Sequence, residues 1–183
     1  VEQFADSFKL AEAPQSIVAQ LIEREQEFAH LGLARLACVF SERELWLHGG
    51  QKAAIIATPA YVQGPLRHLL TWLVAGLVAP LFEWEEPDFL ILVDRALWDT
   101  LDPERRERLV YHELCHVQAR ETEFGTPRLG QDGRPMLKLV PHDAEAFHAE
   151  IERYGVEICG LEDTAIAIAT GERHRRTRDK AIA

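Results

Sequence analysis

Tyr111-His112-Glu113-Leu114-Cys115-His116-Val117 is the stretch on which the reading of this chain turns. Its two histidines are four residues apart, and on an α-helix that spacing puts both side chains on one face, where both imidazoles can reach a single metal ion. Glu113 is one step on from His112 and points about 100° further round the helix axis. Its carboxylate can therefore lie beside a metal-bound water without ligating the metal. A metal held by three protein groups keeps a fourth position for water and lowers that water's pKa towards about 7. A neighbouring carboxylate can then take the proton as the water attacks a polarised carbonyl. With 8 histidines and 21 glutamates in 183 residues, shuffling alone would place this pattern in roughly four per cent of chains. The surroundings have to decide.

Upstream, Asp102-Pro103-Glu104 supplies an N-cap, a proline at the first helical position and an early acid. Leu109, Val110, Leu114 and Val117 then recur at helical spacing. The motif is thus expected on a helix, with Cys115, three steps from His112, turned towards the core as a small packed side chain. Tyr111, Tyr154 and Tyr61 are each read as core or rim tyrosines, with an oxyanion donor as the alternative role.

Working outward, Phe89-Leu90-Ile91-Leu92-Val93-Asp94 reads as a strand buried on both faces, with Trp98 and Leu101 in the link to the motif helix. Residues 15–30 carry one apolar stripe (Ile17, Val18, Leu21, Ile22, Phe28, Ala29) and read as a helix stopped by Gly32. Residues 33–40 read as a strand. Leu45 to His48 and Ala53 to Thr58 flank Gly49-Gly50 and suggest a hairpin. Residues 66–79 read as a strongly apolar helix ending near Pro80. Gly125 to Gly133 reads as a loop or irregular hairpin, the Phe147, Ile151, Tyr154 spacing as a helix, and 161–170 as a further short helix.

The whole chain, 1–183, reads as one domain with its core over about 15–170 and a basic, frayed tail at 171–183. A composition 47% hydrophobic and 27% charged is that of an ordinary globular protein. Three widely spaced cysteines, Cys38, Cys115 and Cys159, point to a reducing cytosol rather than a disulfide framework, and no secretory signal is visible. A cytoplasmic protein is the expectation. The longest apolar run, Leu69 to Phe82, is too short for a membrane span and reads as a buried helix. A net charge of −10 argues against broad nucleic-acid binding and leaves only the tail, basic over 173–180, for such a contact.

Residues 88–155 resemble the putative phage metallopeptidase family, small zincin-like proteins of phages and prophages. The resemblance rests on Asp88-Phe89, Trp98, His112-Glu113-Leu114-Cys115-His116, Gly125 and Pro127. His142-Asp143 with Glu145 and Phe147, and Arg153-Tyr154-Gly155, complete it. It implies an α+β zincin-like fold: a small twisted mixed sheet packed on helices, with the motif on a central helix. It implies a metallopeptidase that binds one zinc ion through His112 and His116, with Glu113 activating the bound water. His142-Asp143 followed by Phe147 is similar to the third-ligand turn of small zincins of the SprT and WLM kind. His142 is accordingly the expected third ligand, with Glu145 the alternative and His148 behind both. Asp143 fits an acceptor for a ligand imidazole or a helix N-cap.

The implied partner is a protein or peptide substrate. In zincins it is held in extended form by an edge strand beside the metal helix, and residues 89–94 are the candidate for that strand or, given their apolar character, its immediate neighbour. Two other readings stay open: a zinc-stabilised module that binds a host protein without turnover, and a SprT-like protease acting on DNA-bound proteins. The absence of a C-x-x-C pair and the acidic balance weigh against the second.

Overall fold

Two six-residue apolar strands form the centre of the sheet, because neither could stand in water on either face. In the computed structural model, which describes residues 7–47, 50–58, 71–83, 86–142, 156 and 161–171, these are β2 (Leu36–Ser41) and β6 (Phe89–Asp94). Every residue of both is buried. They pair in parallel, from Leu36 opposite Phe89 to Ser41 opposite Asp94. β1 (Phe8–Leu10) adds antiparallel to β2, and β5 (Ala54–Ala57) antiparallel to β6, giving the order β1-β2-β6-β5. The fold is α+β with a mixed sheet.

Alternation along the strands divides the core in two. Leu36, Cys38, Phe40, Phe89, Ile91 and Val93 face a cluster built with α1 (Glu12–Arg24) and α3 (Pro103–Cys115). Ala37, Val39, Leu90 and Leu92 face Leu73, Val74 and Val78 on the other side. These last belong to the apolar helix expected at 66–79, described here over 71–82. It widens to a π-helical segment at Val74–Val78, tightens to a 3₁₀ turn at Ala79–Phe82 and stops at Glu83, whose left-handed φ of 55° ends the helical run. Between β6 and α3 lies α2 (Arg95–Thr100), capped by the buried Asp94, whose Oδ1 accepts from Leu97 N at 3.0 Å. Trp98 there is buried in the first cluster.

Several expectations give way to tertiary pairing. The helix read over 15–30 breaks at Glu25 (ψ 116°) into α1 and a 3₁₀ turn, Gln26–Leu31, which turns both Phe28 and Leu31 inward. The strand read from 33 begins at Leu36, because Arg35 N is held by Asp88 Oδ2 at 2.8 Å. β3 (Leu45–Leu47) does form a hairpin, but with β4 (Gly50–Lys52). Ala54 to Ala57 leave that hairpin for the main sheet, where Asp94 N–H donates to Ala53 O at 2.9 Å. Residues 89–94 are therefore interior, and among the described residues β5 is the edge strand beside α3. The segment Gly125 to Gly133, read as a loop or irregular hairpin, lies within a two-stranded arm in which β7 (Val117–Ala119) pairs with β8 (Leu137–Leu139), and both glycines have positive φ.

The chain falls into two compact units, Val1–Val140 and Pro141–Ala183. In the second, residues 162–171 are helical, as expected for 161–170. The expected helix through Phe147, Ile151 and Tyr154 and the basic tail lie outside the described residues. Among the described residues no helix is long and apolar enough to cross a membrane.

Candidate metal centre

The helix α3 starts as its sequence requires. Pro103 occupies the first turn, and Asp102 accepts from Arg105 N at 2.8 Å. It ends at Cys115, with His116 as C-cap still in helical conformation (φ −68°, ψ −14°). The four-residue spacing of the histidines is therefore preserved to the last turn, and their rings meet edge-on with centroids 5.1 Å apart. Val110 and Leu114 are fully buried against the sheet, which fixes the helix rotation. That rotation buries Glu113 and leaves His112 exposed and His116 half-buried.

It also exposes Cys115, contrary to the packed position expected for it. The cause is helix geometry: three residues on from His112, Cys115 lies only about 60° from it around the axis and shares its exposed side.

His116 is tied down by the end of the arm. Its Nδ1 lies 2.8 Å from Val140 O, which can only accept, so Nδ1 carries the proton and the ring's lone pair is on Nε2. Val140 N–H in turn donates to His116 O at 2.8 Å. Pro141 and His142 follow directly on Val140, and one donor atom from each of His112, His116 and His142 lies within 4.8 Å of the others. Nitrogens around tetrahedral zinc stand about 3.4 Å apart, so small side-chain adjustments would close three imidazoles on one ion. A histidine triad capable of holding a metal is thus assembled from the three residues expected.

Glu113, only 5% exposed, is the buried acid of the site. Burial raises its carboxyl above the ordinary carboxylate range, opposed by the charge of His116 and a hydrogen bond from the backbone N–H of Ile56 on β5. Tyr111, beside the triad in sequence, points away from it: its hydroxyl donates to Glu27 and its ring packs edge-to-face on Phe28, with centroids 5.1 Å apart. Burial pushes the Cys38 thiol up to about 12, which makes it inert core.

A model of one family matches residues 6–168. The chain belongs to the putative phage metallopeptidase family. No curated protein and no solved structure matches it. The family match spans the first half of the chain as well as the motif, including β5, where the sequence offered no diagnostic residue.

Glu145, Asp143, His148, Tyr61 and Tyr154 lie outside the described residues. Two contributors to the site were missed. Val140 acts through its carbonyl, which no side-chain pattern could reveal. His30, which belongs to no sequence motif, places Nδ1 2.9 Å from Glu27 O and Nε2 2.8 Å from Val117 O, bracing the strand that leaves the motif. A cavity of about 330 Å³ opens beyond it, between the sheet end and the arm, lined by Arg35, Asp88, Arg120 and Arg134 among others. None of His112, Glu113, His116 or His142 lines it. Its charges are largely paired with one another, with Asp88 3.1 Å from Arg134 and 3.7 Å from Arg35.

Proposed function

We propose that the protein is a zinc-dependent peptidase in which His112, His116 and His142 hold one zinc ion and Glu113 is the general base. The observation that carries this is the meeting of three imidazole donor atoms within 4.8 Å, next in sequence to a carboxylate that is buried and not itself one of the three. The donor set suits zinc: three imidazoles, His116 oriented by Val140 O, and a coordination position left over. When bound, zinc would polarise the scissile carbonyl and acidify a water. Glu113 would take a proton from the attacking water and return it to the leaving nitrogen. Burial suits Glu113 to the task, because a carboxyl raised towards neutrality both accepts and releases a proton readily.

The substrate in this reading is a protein or peptide lying extended along β5. Among the described residues no strand pairs with that strand's outer edge, so its backbone groups there can take up a peptide by strand addition.

Metal content and cleavage of unfolded casein, measured on the wild type and four variants, test the proposal. Wild type and Glu113→Gln should each carry one zinc. Cleavage by Glu113→Gln should fall by about 10²–10⁴-fold. His112→Ala and His142→Ala should lose the ion. Zinc kept in His142→Ala but lost in Glu145→Ala would make the glutamate the third ligand. Zinc present, with no cleavage by the wild type, would favour a metal-stabilised binding module. A well-folded protein that takes up no added zinc would overturn the reading.

A further inference from the structure

The edge of β5 does more than offer backbone to a peptide. Asp94 N–H donates to Ala53 O at 2.9 Å, one step before the Ala54–Val93 pair. In an antiparallel ladder alternate residues turn both backbone groups to the same neighbour. Ala53, Ile55 and Ala57 therefore face β6, while Ala54 and Ile56 face the outer edge. The Ile56 side chain packs into the same cluster as Val110 and Leu114, which seats β5 on α3. Its outward N–H comes to the carboxylate of Glu113, itself 5% exposed.

We propose that the backbone N–H of Ile56 is a positioning group for Glu113, engaging one carboxylate oxygen so that the other is presented to the proton it must accept. This rests on the general-base reading of Glu113. The same contact sets the register of the substrate. A peptide strand antiparallel to β5 would normally exchange two hydrogen bonds with Ile56. Because the Ile56 N–H is taken, the residue opposite can donate its own N–H to the Ile56 carbonyl, but its carbonyl has no strand partner. That carbonyl is the one open to polarisation and attack. The edge strand thus selects the bond that is cut and orients the base that cuts it, through one peptide unit.

Hydrogen exchange followed by NMR on the intact protein reads the contact without any need for turnover. The Ile56 amide, although it faces a sheet edge that no strand pairs with among the described residues, should be protected. Glu113→Ala should speed its exchange by about tenfold or more, while Glu113→Gln, which keeps an acceptor oxygen, should retain most of the protection. Ile55 and Ala57, bonded to β6, should not change. Exchange at Ile56 indifferent to Glu113→Ala would overturn the proposal.

The second readout is an amide-to-ester exchange at Ile56, which removes the N–H and keeps the side chain. On a peptide cut by the wild type, kcat should fall about tenfold or more while KM moves less than about threefold, with zinc content unchanged and Tm lowered only by the loss of this one hydrogen bond. A loss confined to KM or Tm would assign Ile56 a purely structural part and refute the positioning role. Protection at Ile56 in a protein that cleaves nothing would leave the carboxylate held as described and would count against the peptidase reading alone.

Discussion

Leu114 and Cys115 are neighbours on α3 with opposite surroundings, and substituting each by alanine in the metal-free protein tests the rotation on which the whole site depends. Leu114 is 0% exposed within the cluster that joins α3 to the sheet. Truncating it removes the buried side chain beyond Cβ and leaves a cavity. Collapse around that cavity is restricted because α3 is pinned at both ends, by the Asp102 cap and by the His116–Val140 bonds. Leucine-to-alanine changes at such sites cost about 3–5 kcal/mol, which for a chain of this length lowers Tm by roughly 6–20 °C. Cys115 is exposed, and its truncation should change stability by no more than about 0.5 kcal/mol. Urea denaturation gives both numbers, with a displaced midpoint and an unchanged m-value marking a true stability effect. A cost above about 1.5 kcal/mol at Cys115 together with less than about 1 kcal/mol at Leu114 would mean that the helix is rotated. His112, Glu113 and His116 would then point elsewhere, and the site built on them would fall.

Three further outcomes are expected. In chelator-treated protein, Glu113→Gln should raise Tm at pH 7. Burial lifts the folded-state pKa of Glu113, so the stability its protonated form supplies is present below the unfolded value of about 4.3 and is lost as pH rises through the higher folded one. The gain from the glutamine should therefore vanish near pH 4, and a gain independent of pH would point to packing instead. Free zinc at a hundred times its Kd should stabilise the wild type by about 2.7 kcal/mol, seen as a Tm that climbs with zinc concentration, and His116→Ala should abolish the climb. Asp102→Ala removes the bond to Arg105 N and should cost about 1 kcal/mol by chemical denaturation, with zinc binding retained.

The legible parts of the chain were those with local causes. A cap and a proline place the start of α3 at Pro103, where it lies, and an unbroken apolar run places β6. What escaped depends on partners far along the chain. Ala54 to Ala57 belong to the sheet because β6 has a vacant edge, and nothing within 45–58 says so. β1 is three residues long and is a strand only because β2 accepts it. The break at Glu25 serves contacts with α3: Arg24 reaches Glu107 at 2.8 Å, and Glu27 receives the Tyr111 hydroxyl. The site divides the same way. The spacing of His112, Glu113 and His116 carries their geometry, and His142 entered through resemblance. Val140 and Ile56 act by backbone groups, to which the identity of the side chain gives no clue. Cys115 was misplaced because a residue three steps from His112 shares that histidine's exposed side of the helix and does not turn to the core.

The arm that leaves His116 and returns to it at Val140 has a consequence for how such a chain can vary. Its two ends are fastened to each other at the histidine, so what happens between them is mechanically isolated from the donor atoms. At its far tip the turn is closed locally, with Thr122 N–H on Thr126 O at 2.9 Å and Gly125 N–H on Thr122 O at 3.1 Å, and Phe124 stands 82% exposed. Loop-closure entropy grows only with the logarithm of length, so doubling such a tip costs about 0.6 kcal/mol. The tip is thus the place where insertions, deletions and grafted segments can accumulate during divergence, or be made by design, while the triad keeps its form.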